Sequence, residues 1–259
     1  MSTIAKALKL LEFFNTNTPE LGLTQFTKLS GYDKASTHRR LTELVETGFL
    51  EQDSVRKTYR LGAAIPRLAL VREQTFPAAE AAKQRIQTLY EKVTETVHVS
   101  IVQGSKGLST LAHIDDKIHG NRVYIEPADI LPFHATASGL VVLAFSDEPF
   151  RNTILSQTLD AITDETVTDT RSLADYFEQI RTQGFCRSDG GYEADVTGIS
   201  VPVFDVTGNC AGAIAVAAPK SRVTEMKETE IVHELIIASS RLSSDWGGEI
   251  PDSLLKIWK

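Results

Sequence analysis

The stretch from Leu23 to Gly62, LTQFTKLSGYDKASTHRRLTELVETGFLEQDSVRKTYRLG, decides how this chain is read. It opens with a short helical segment, from about Thr24 to Leu29, whose Phe26 and Leu29 are expected to point inward. Ser30-Gly31-Tyr32 breaks that helix. Asp33 then suits an N-cap, because its carboxylate can accept the free amide hydrogens of a following first turn. The spacing predicts a third helix over Lys34 to Glu46, with Leu41, Leu44 and Val45 as its inner face and His38 also on the inner side by wheel position. Ser36, Arg39 and Arg40 fall elsewhere on the wheel. After Gly48, GFLEQD and TYRLG read as two strands joined by a polar turn that carries Arg56 and Lys57, with Arg60 nearby and no acidic residue between Ser54 and Arg60. Two helices about a tight turn followed by a basic hairpin describe a winged helix-turn-helix. In such a unit the N-terminal half of the last helix suits the major groove, and the wing suits the sugar-phosphate backbone or minor groove.

Working outward, Ile4, Ala7, Leu8, Leu11 and Phe14 recur at helical spacing and predict an amphipathic first helix. The whole chain has 259 residues and 42% apolar composition, enough for two ordinary domains. Its net charge of −7 speaks against nucleic acid until it is divided. Residues 1–62 hold nine Lys or Arg against seven Asp or Glu, for +2, and the remainder holds 18 against 27, for −9. An acidic body steers phosphate away from itself and leaves the small basic domain as the docking surface. The longest apolar runs, such as LVVLAF at 140–145, are far short of a membrane span, and the N-terminus has no signal-peptide pattern. A soluble cytoplasmic protein without membrane association is expected. Cys186 and Cys210 form no C-x-x-C pair and no His cluster surrounds them, so no disulfide framework, metal or cofactor is expected.

Residues 63–76 have helical composition and are assigned as a linker between a domain at 1–62 and another at 77–259. Pro77 suits the first turn of a helix in which Ile86, Leu89, Tyr90 and Val93 form one stripe. VHVSIVQGSKGLSTLAHID, residues 97–115, alternates about a glycine-containing turn as a hairpin does, and RVYIEP at 122–127 reads as a further strand. HATASGLVVLAF and TRSLADYFEQIRTQ, the latter closed by Gly184, read as helices. A second hairpin, ISVPVFDVTGNCAGAIAVAAP, turns at Thr207-Gly208-Asn209, and a last helix runs from Thr224 to Asp245. Strand pairs that follow one another without strict helix alternation predict an α+β fold about a central antiparallel sheet.

These residues resemble the IclR family of bacterial transcriptional regulators along nearly the whole chain. The similar text is LSGYDKASTHRRLTELVETGFLEQD with YRLG, then LPFHATASG with LAF, QGF with SD, ISVPVFDVTG, and AAPKSR followed by VT. The resemblance implies an N-terminal winged helix-turn-helix that dimerises, a helical linker, and a C-terminal GAF-like domain that binds a small organic acid. It also implies homodimers or dimers of dimers on a double-stranded operator, with genes of catabolism as targets. By position, the family's DNA-reading segment falls on Lys34, Ser36, Thr37, His38, Arg39 and Arg40. Asp33 stands where the family often has Pro, and Ala35 where Ser is usual. The family's effector-domain motif runs from Gly184 to Asp205 and is matched at Ser188, Ile199, Ser200, Val203, Phe204 and Asp205. It departs at Gly191, where Glu is usual, and at Gly198, where Cys, Ser or Ala is. Ala215 and Ala217 occupy positions that offer hydroxyls to the ligand in relatives that bind small oxo-acids.

The expected function is therefore a ligand-responsive transcriptional regulator, a repressor of a catabolic operon, and not an enzyme. DNA contacts are expected from the six residues above with Arg56, Lys57 and Arg60. Effector contacts are expected from Ala137, Ser138, Ser188, Gly198, Ala215 and Ala217. The start of the helix opened by His134-Ala135-Thr136-Ala137-Ser138 is the physical anchor for a carboxylate, because unpaired amides and the helix dipole both favour an anion there. Alanines at 215 and 217 disfavour a tiny, highly polar acid and favour a larger or more apolar one. His134 is expected to be structural, bonding a backbone carbonyl, and Thr224 to cap the last helix. Two alternatives are a constitutive DNA-binding protein whose second domain only oligomerises, and an enzyme using Cys186 with His98 or His134 and Asp189.

Overall fold

The computed structural model describes residues 2–15, 17–75 and 78–259. These residues form two compact units, Met1–Pro77 and Ala78–Lys259. In the first, α1 (Thr3–Leu11), β1 (Leu21–Gly22), α2 (Leu23–Ser30), α3 (Lys34–Glu46), β2 (Leu50–Gln52), β3 (Thr58–Leu61) and α4 (Ala64–Thr75) follow in order. Asp33 caps α3 through a 2.8 Å bond that its Oδ1 accepts from the Ser36 amide. Gly31 closes α2 at φ +68°, a left-handed conformation that side-chain-bearing residues adopt only at a cost. Strand β3 lies between β1 and β2 and is antiparallel to both. A small core gathers Leu10, Phe14, Phe26, Leu41, Leu50 and Tyr59. Phe14 and Tyr59 meet the Phe26 ring edge-on, with centroids 5.5 and 6.0 Å away.

Three sequence expectations for this unit change. In α1 the buried positions are Leu10 and, just past the helix, Phe14, whereas Ile4 and Leu8 are exposed. The predicted stripe meets the core only at its C-terminal end, through Phe14 and the half-buried Leu11, and Leu10, one position off that stripe, is the most buried residue of the helix. Leu29 is 54% exposed, and Phe26 is the buried residue of α2. In α3 the inward positions are Thr37, Arg40, Leu41 and Leu44, which turns His38 to the surface.

The second unit runs through α5 (Ala78–Val93), β4 (Thr96–Gln103), β5 (Gly107–Ile114), β6 (Ile130–Leu131), α6 (Ala137–Phe145), α7 (Glu148–Leu155) and α8 (Thr170–Gln183). It continues through β7 (Cys186–Asp189), β8 (Val196–Phe204), β9 (Cys210–Pro219), α9 (Glu225–Asp245) and α10 (Asp252–Ile257). Pro77, the expected helix start, lies outside the described residues. The strands form one sheet in the order β6-β5-β4-β9-β8-β7, with every neighbouring pair antiparallel. Alternation sorts its residues between two cores. Val97, Val99, Ile199, Val201, Ile214 and Val216 pack with α5 and α9. Ala213, Phe204 and Cys186 pack with α6 and α8. Together with the helical domain before it, this is the α+β architecture the sequence predicts.

RVYIEP forms no strand, which corrects the sequence reading. Side chains meet backbone groups there in place of a ladder: Thr96 Oγ1 donates to the Val123 carbonyl at 2.6 Å, and Asp115 accepts the Ile125 amide at 3.2 Å. The edge strand is instead β6, paired with β5. Thr224 caps α9 as expected, accepting the Lys227 amide at 3.3 Å. Among the described residues no helix is long and apolar enough to cross a membrane. The different burial of two leucines provides a test. Leu41→Ala is expected to destabilise the first unit by about 2 to 5 kcal/mol, because it leaves a cavity in a filled core. Leu29→Ala is expected to change stability by less than about 0.5 kcal/mol. Urea melts that rank the two the other way would contradict the assigned faces.

Candidate functional site

Helix α3 sorts the expected DNA-reading residues by exposure. Lys34, His38 and Arg39 are exposed, Ser36 is half-buried, and Thr37 and Arg40 are buried. Arg40 is 6% exposed; its guanidinium stacks over the Tyr32 ring at 5.1 Å, and its Nη1 donates to Ser36 Oγ at 2.8 Å. Ser36 Oγ in turn donates to Asp33 Oδ2 at 2.7 Å. The Ser36 amide and hydroxyl hold the Asp33 carboxyl below the usual carboxylate range. Thr37 Oγ1 returns to the Asp33 carbonyl at 2.9 Å. Arg40, Ser36 and Thr37 thus brace the start of α3 from within, and Lys34, His38 and Arg39 present the outward chemistry.

The wing is less basic in space than in sequence. Arg56 pairs with Asp53 at 3.2 Å and Glu20 at 3.3 Å, and Arg60 lies on Glu51 at 2.8 Å. Those partners sit outside the interval from Ser54 to Arg60, so a local count of charges missed them. The arginine side chains remain 64% and 61% exposed. Pairs so open to solvent are weakened by water and salt, which leaves a phosphate able to replace the carboxylate. Lys57 is exposed at the turn with φ +57°, an uncommon conformation for a side chain that is not glycine, asparagine or aspartate.

In the second unit Ala137, Ser138, Ser188, Gly198, Ala215 and Ala217 all line one cavity of about 460 Å³. Helix α6 enters it at its N-terminus. Thr136 caps that end by accepting the Gly139 amide at 3.0 Å, which leaves the Ala137 and Ser138 amides as the remaining first-turn donors. Gly198, opposite Ala217 in the β8–β9 pairing, makes this end accessible. A Cβ at 198 would stand 3.1 Å from Ala137 Cβ and 3.9 Å from the Ala137 amide nitrogen. Gly191 has no such room, since a Cβ there would fall 2.7 Å from the Ala135 carbonyl oxygen and 2.8 Å from Ser188 Oγ. A Glu at this position, usual in the motif, would require the 188–191 turn to move. Ser188 is buried, lines the cavity and has no hydrogen-bond partner for its hydroxyl among the described residues.

The structure adds residues that the sequence reading did not single out for binding. His98 lines the floor, 6% exposed, with Nε2 3.2 Å from Ser138 Oγ. Burial, and secondarily the charge of His113, lower its pKa to about 4, so it is neutral near pH 7. Thr96, His98 and Ser100 form a polar alternation within a buried strand, and that signal was available in the sequence. Tyr192 and Glu193 come from the loop between β7 and β8, where no periodicity marks them.

The catalytic alternative finds no support at its nucleophile. Cys186 is buried, its thiol pushed up to about 12 by burial, and a thiol held protonated is a poor nucleophile. His134 bonds the Asp160 carbonyl at 2.9 Å, the structural role expected of it. Glu95, Asp116 and His119 are close enough to share a metal ion. Arg222 already sits among them, 2.7 Å from Glu95 and 3.3 Å from Asp116, and His119 contacts Asp116 at 2.8 Å.

A winged helix-turn-helix unit joined in sequence to a sheet domain with a cavity at a helix start describes a class of DNA-binding transcriptional regulators. The chain belongs to one family of that class, IclR. Residues 3–54 match the IclR helix-turn-helix domain, and residues 74–244 match the family described as bacterial transcriptional regulator IclR C-terminal. A putative IclR transcriptional regulator from a Silicibacter species shares 39% identity and superposes with a TM-score of 0.88, over 97% of this chain and 99% of that one. The HTH-type transcriptional regulator XynR of Escherichia coli is 27% identical over 95% of this chain and 98% of its own length. An IclR homologue from Microbacterium hydrocarbonoxydans, solved in complex with 4-hydroxybenzoate, has the same fold at 23% identity and a TM-score of 0.75, over 94% of this chain and 100% of that one.

A buried neutral histidine predicts a pH dependence. The unfolded chain takes up a proton at His98 near pH 6.5, whereas the folded one does so only near 4. Its contribution to stability is complete above the higher value and is lost as pH falls through that window. Melting temperatures between pH 7.5 and 4 are expected to fall less steeply in His98→Gln than in the parent protein. Identical slopes would show that His98 is not held neutral.

Proposed function

We propose that this regulator reads an operator with α3 and the wing, and that its sheet domain senses a small organic acid anchored at the start of α6. The observation that carries the ligand half is the cavity itself. Two first-turn amides of α6, the Ser138 hydroxyl and the unpartnered Ser188 hydroxyl converge on a space of about 460 Å³. A helix N-terminus and convergent donors suit an anion, and the volume suits a ligand larger than a two- or three-carbon acid. Ala215 and Ala217 supply no donors, so a small acid with many oxygens would leave groups unpaired at about 1 to 3 kcal/mol each. The 4-hydroxybenzoate bound to the Microbacterium relative supports an aromatic acid of that scale.

On the DNA side, Lys34, His38 and Arg39 are the groove-facing residues in this reading. Arg56, Lys57 and Arg60 contact phosphate, and Thr37 and Arg40 position the helix. Residues 63–76 link the two domains, and the protein acts as a homodimer or dimer of dimers. The acid alters the fit of paired helices to half-sites about 34 Å apart or more, and so relieves repression. Ligand and DNA communicate only if the acid binds the two arrangements with different affinity.

Operator gel shifts test the first half. Arg39→Ala is expected to abolish binding without lowering the melting temperature, and undiminished binding would overturn this orientation of α3. Arg40→Leu is expected to weaken binding while leaving the slope of log affinity against log salt unchanged. An arginine that contacts phosphate would, when removed, reduce that slope by about 1. For the ligand half, a thermal-shift screen of aromatic and aliphatic carboxylates is expected to yield a compound that stabilises by about 2.7 kcal/mol at 100 times its dissociation constant. Gly198→Val, which covers the Ala137 amide, is expected to remove that shift. Tight calorimetric binding of glyoxylate or pyruvate with none of aromatic acids would sink the size argument. An operator complex insensitive to every stabilising acid would favour a constitutive binder.

A further inference from the structure

We propose that the ligand of the cavity is a zwitterion, a small acid whose carboxylate meets the start of α6 and which carries a cationic ammonium group for the acidic, tyrosine-bearing wall. The inference rests on the acid-sensing reading above and adds the ligand's second charge. Asp129 and Glu193 line the cavity, and among its lining residues there is no Lys or Arg. A dianion would therefore find hydrogen-bond donors for one carboxylate and like charge around the other. Like charge at short range is expensive where water is partly excluded.

The same cavity is lined by Tyr124 and Tyr192, whose ring faces attract cations. Tyr192 is half-buried, and its phenol is pushed up by burial and by the charges of Asp129 and Glu193, which places both carboxylates within its field. Burial also raises the Glu193 carboxyl, a cost that an arriving cation would offset. Tyr124 already carries one cation, the Arg122 guanidinium, 4.9 Å from its ring centroid. Arg122 and Lys220 line an adjoining recess that shares Tyr124 and Glu193 with the cavity, and neither of the two lines the cavity itself.

The anionic end has its own support, independent of the helix terminus. Ser188 is 9% exposed, its hydroxyl has no partner among the described residues, and it lines the cavity. A buried hydroxyl without a protein partner needs a ligand or solvent partner. The α6 amides and Ser188 thus serve a carboxylate, whereas the loops at 124–129 and 191–193 serve a cation.

Calorimetry on the full chain tests this with two matched sets. One is 4-(aminomethyl)benzoate, 4-(hydroxymethyl)benzoate and terephthalate; the other is 4-aminobutyrate, 4-hydroxybutyrate and succinate. In at least one set the amine is expected to bind about tenfold or more tighter than its hydroxyl analogue, with the diacid weakest. In Glu193→Gln the advantage of the amine is expected to shrink to less than about threefold. An amine that binds no better than the alcohol in both sets, or a diacid that binds tightest, overturns the zwitterion and leaves acid sensing intact. An amine advantage unchanged in Glu193→Gln overturns the assignment of this wall to the cation. Silence from all six compounds overturns both this inference and the carboxylate reading of the cavity.

Discussion

The second unit depends on one constraint: its central strands must satisfy two different neighbours through a period of two. In β9 the residues Ile214, Val216 and Ala218 enter the core shared with α5 and α9. The alternate residues Ala213, Ala215 and Ala217 turn to the other face, where Ala213 packs with α6 and the other two line the cavity. Large side chains on the first face contribute roughly 1.5 to 3 kcal/mol each on burial. Small ones on the second leave the volume that larger residues would fill. The cavity is thus a direct consequence of strand alternation with alanine at every second place. Gly198, on the neighbouring strand, extends the same economy of side chain up to the first amide of α6.

An analogous division of labour operates along α3. A helix that docks against a core and also offers residues to DNA must assign each side chain to one task. Thr37, Arg40, Leu41 and Leu44 are committed inward. Arg40 is the costly member, because a guanidinium lies in a nearly buried position with its Nε lacking a partner. The Tyr32 ring and the Ser36 hydroxyl offset part of that cost, and through Ser36 the network reaches the cap at Asp33. Removing the arginine would loosen the helix start by depriving Ser36 of one of its two partners, which is a positioning effect.

Much of this was legible in the sequence wherever a local rule decided it. Asp33 and Gly31 fixed the limits of the α2–α3 turn, because caps and left-handed turns are set by a few adjacent residues. Likewise TRSLADYFEQIRTQ with Gly184 delimited α8 to the residue. The fit failed where the answer was tertiary. RVYIEP has the composition of a strand, but its backbone is met by Thr96 and Asp115 from elsewhere. Arg56 and Arg60 looked like free wing charges because their partners, Glu20, Asp53 and Glu51, lie outside the counted interval. For the cavity, the six residues suggested by family position and by the helix start do line it, whereas Tyr192 and Glu193 belong to a loop whose placement no periodicity encodes.

The two halves of the cavity wall differ in how they would discriminate among ligands. Donors at a helix start are backbone groups, fixed in place and common to any carboxylate, so they confer affinity for an acid without choosing between acids. The choice must come from the remainder of the wall. There the apolar floor of Ala215 and Ala217 rejects polar bulk, because polar groups held against it go unpaired. In the zwitterion proposal the carboxylates of Asp129 and Glu193 act differently, since a field extends beyond contact and would sort ligands by sign before shape is tested. Selectivity by charge needs no close fit, which allows it to reside on loops, whereas the anchoring function requires the precision of a helix end. The kind of element that would carry each task thus matches the accuracy it demands: a capped helix for the common group, and loop side chains for the distinguishing one.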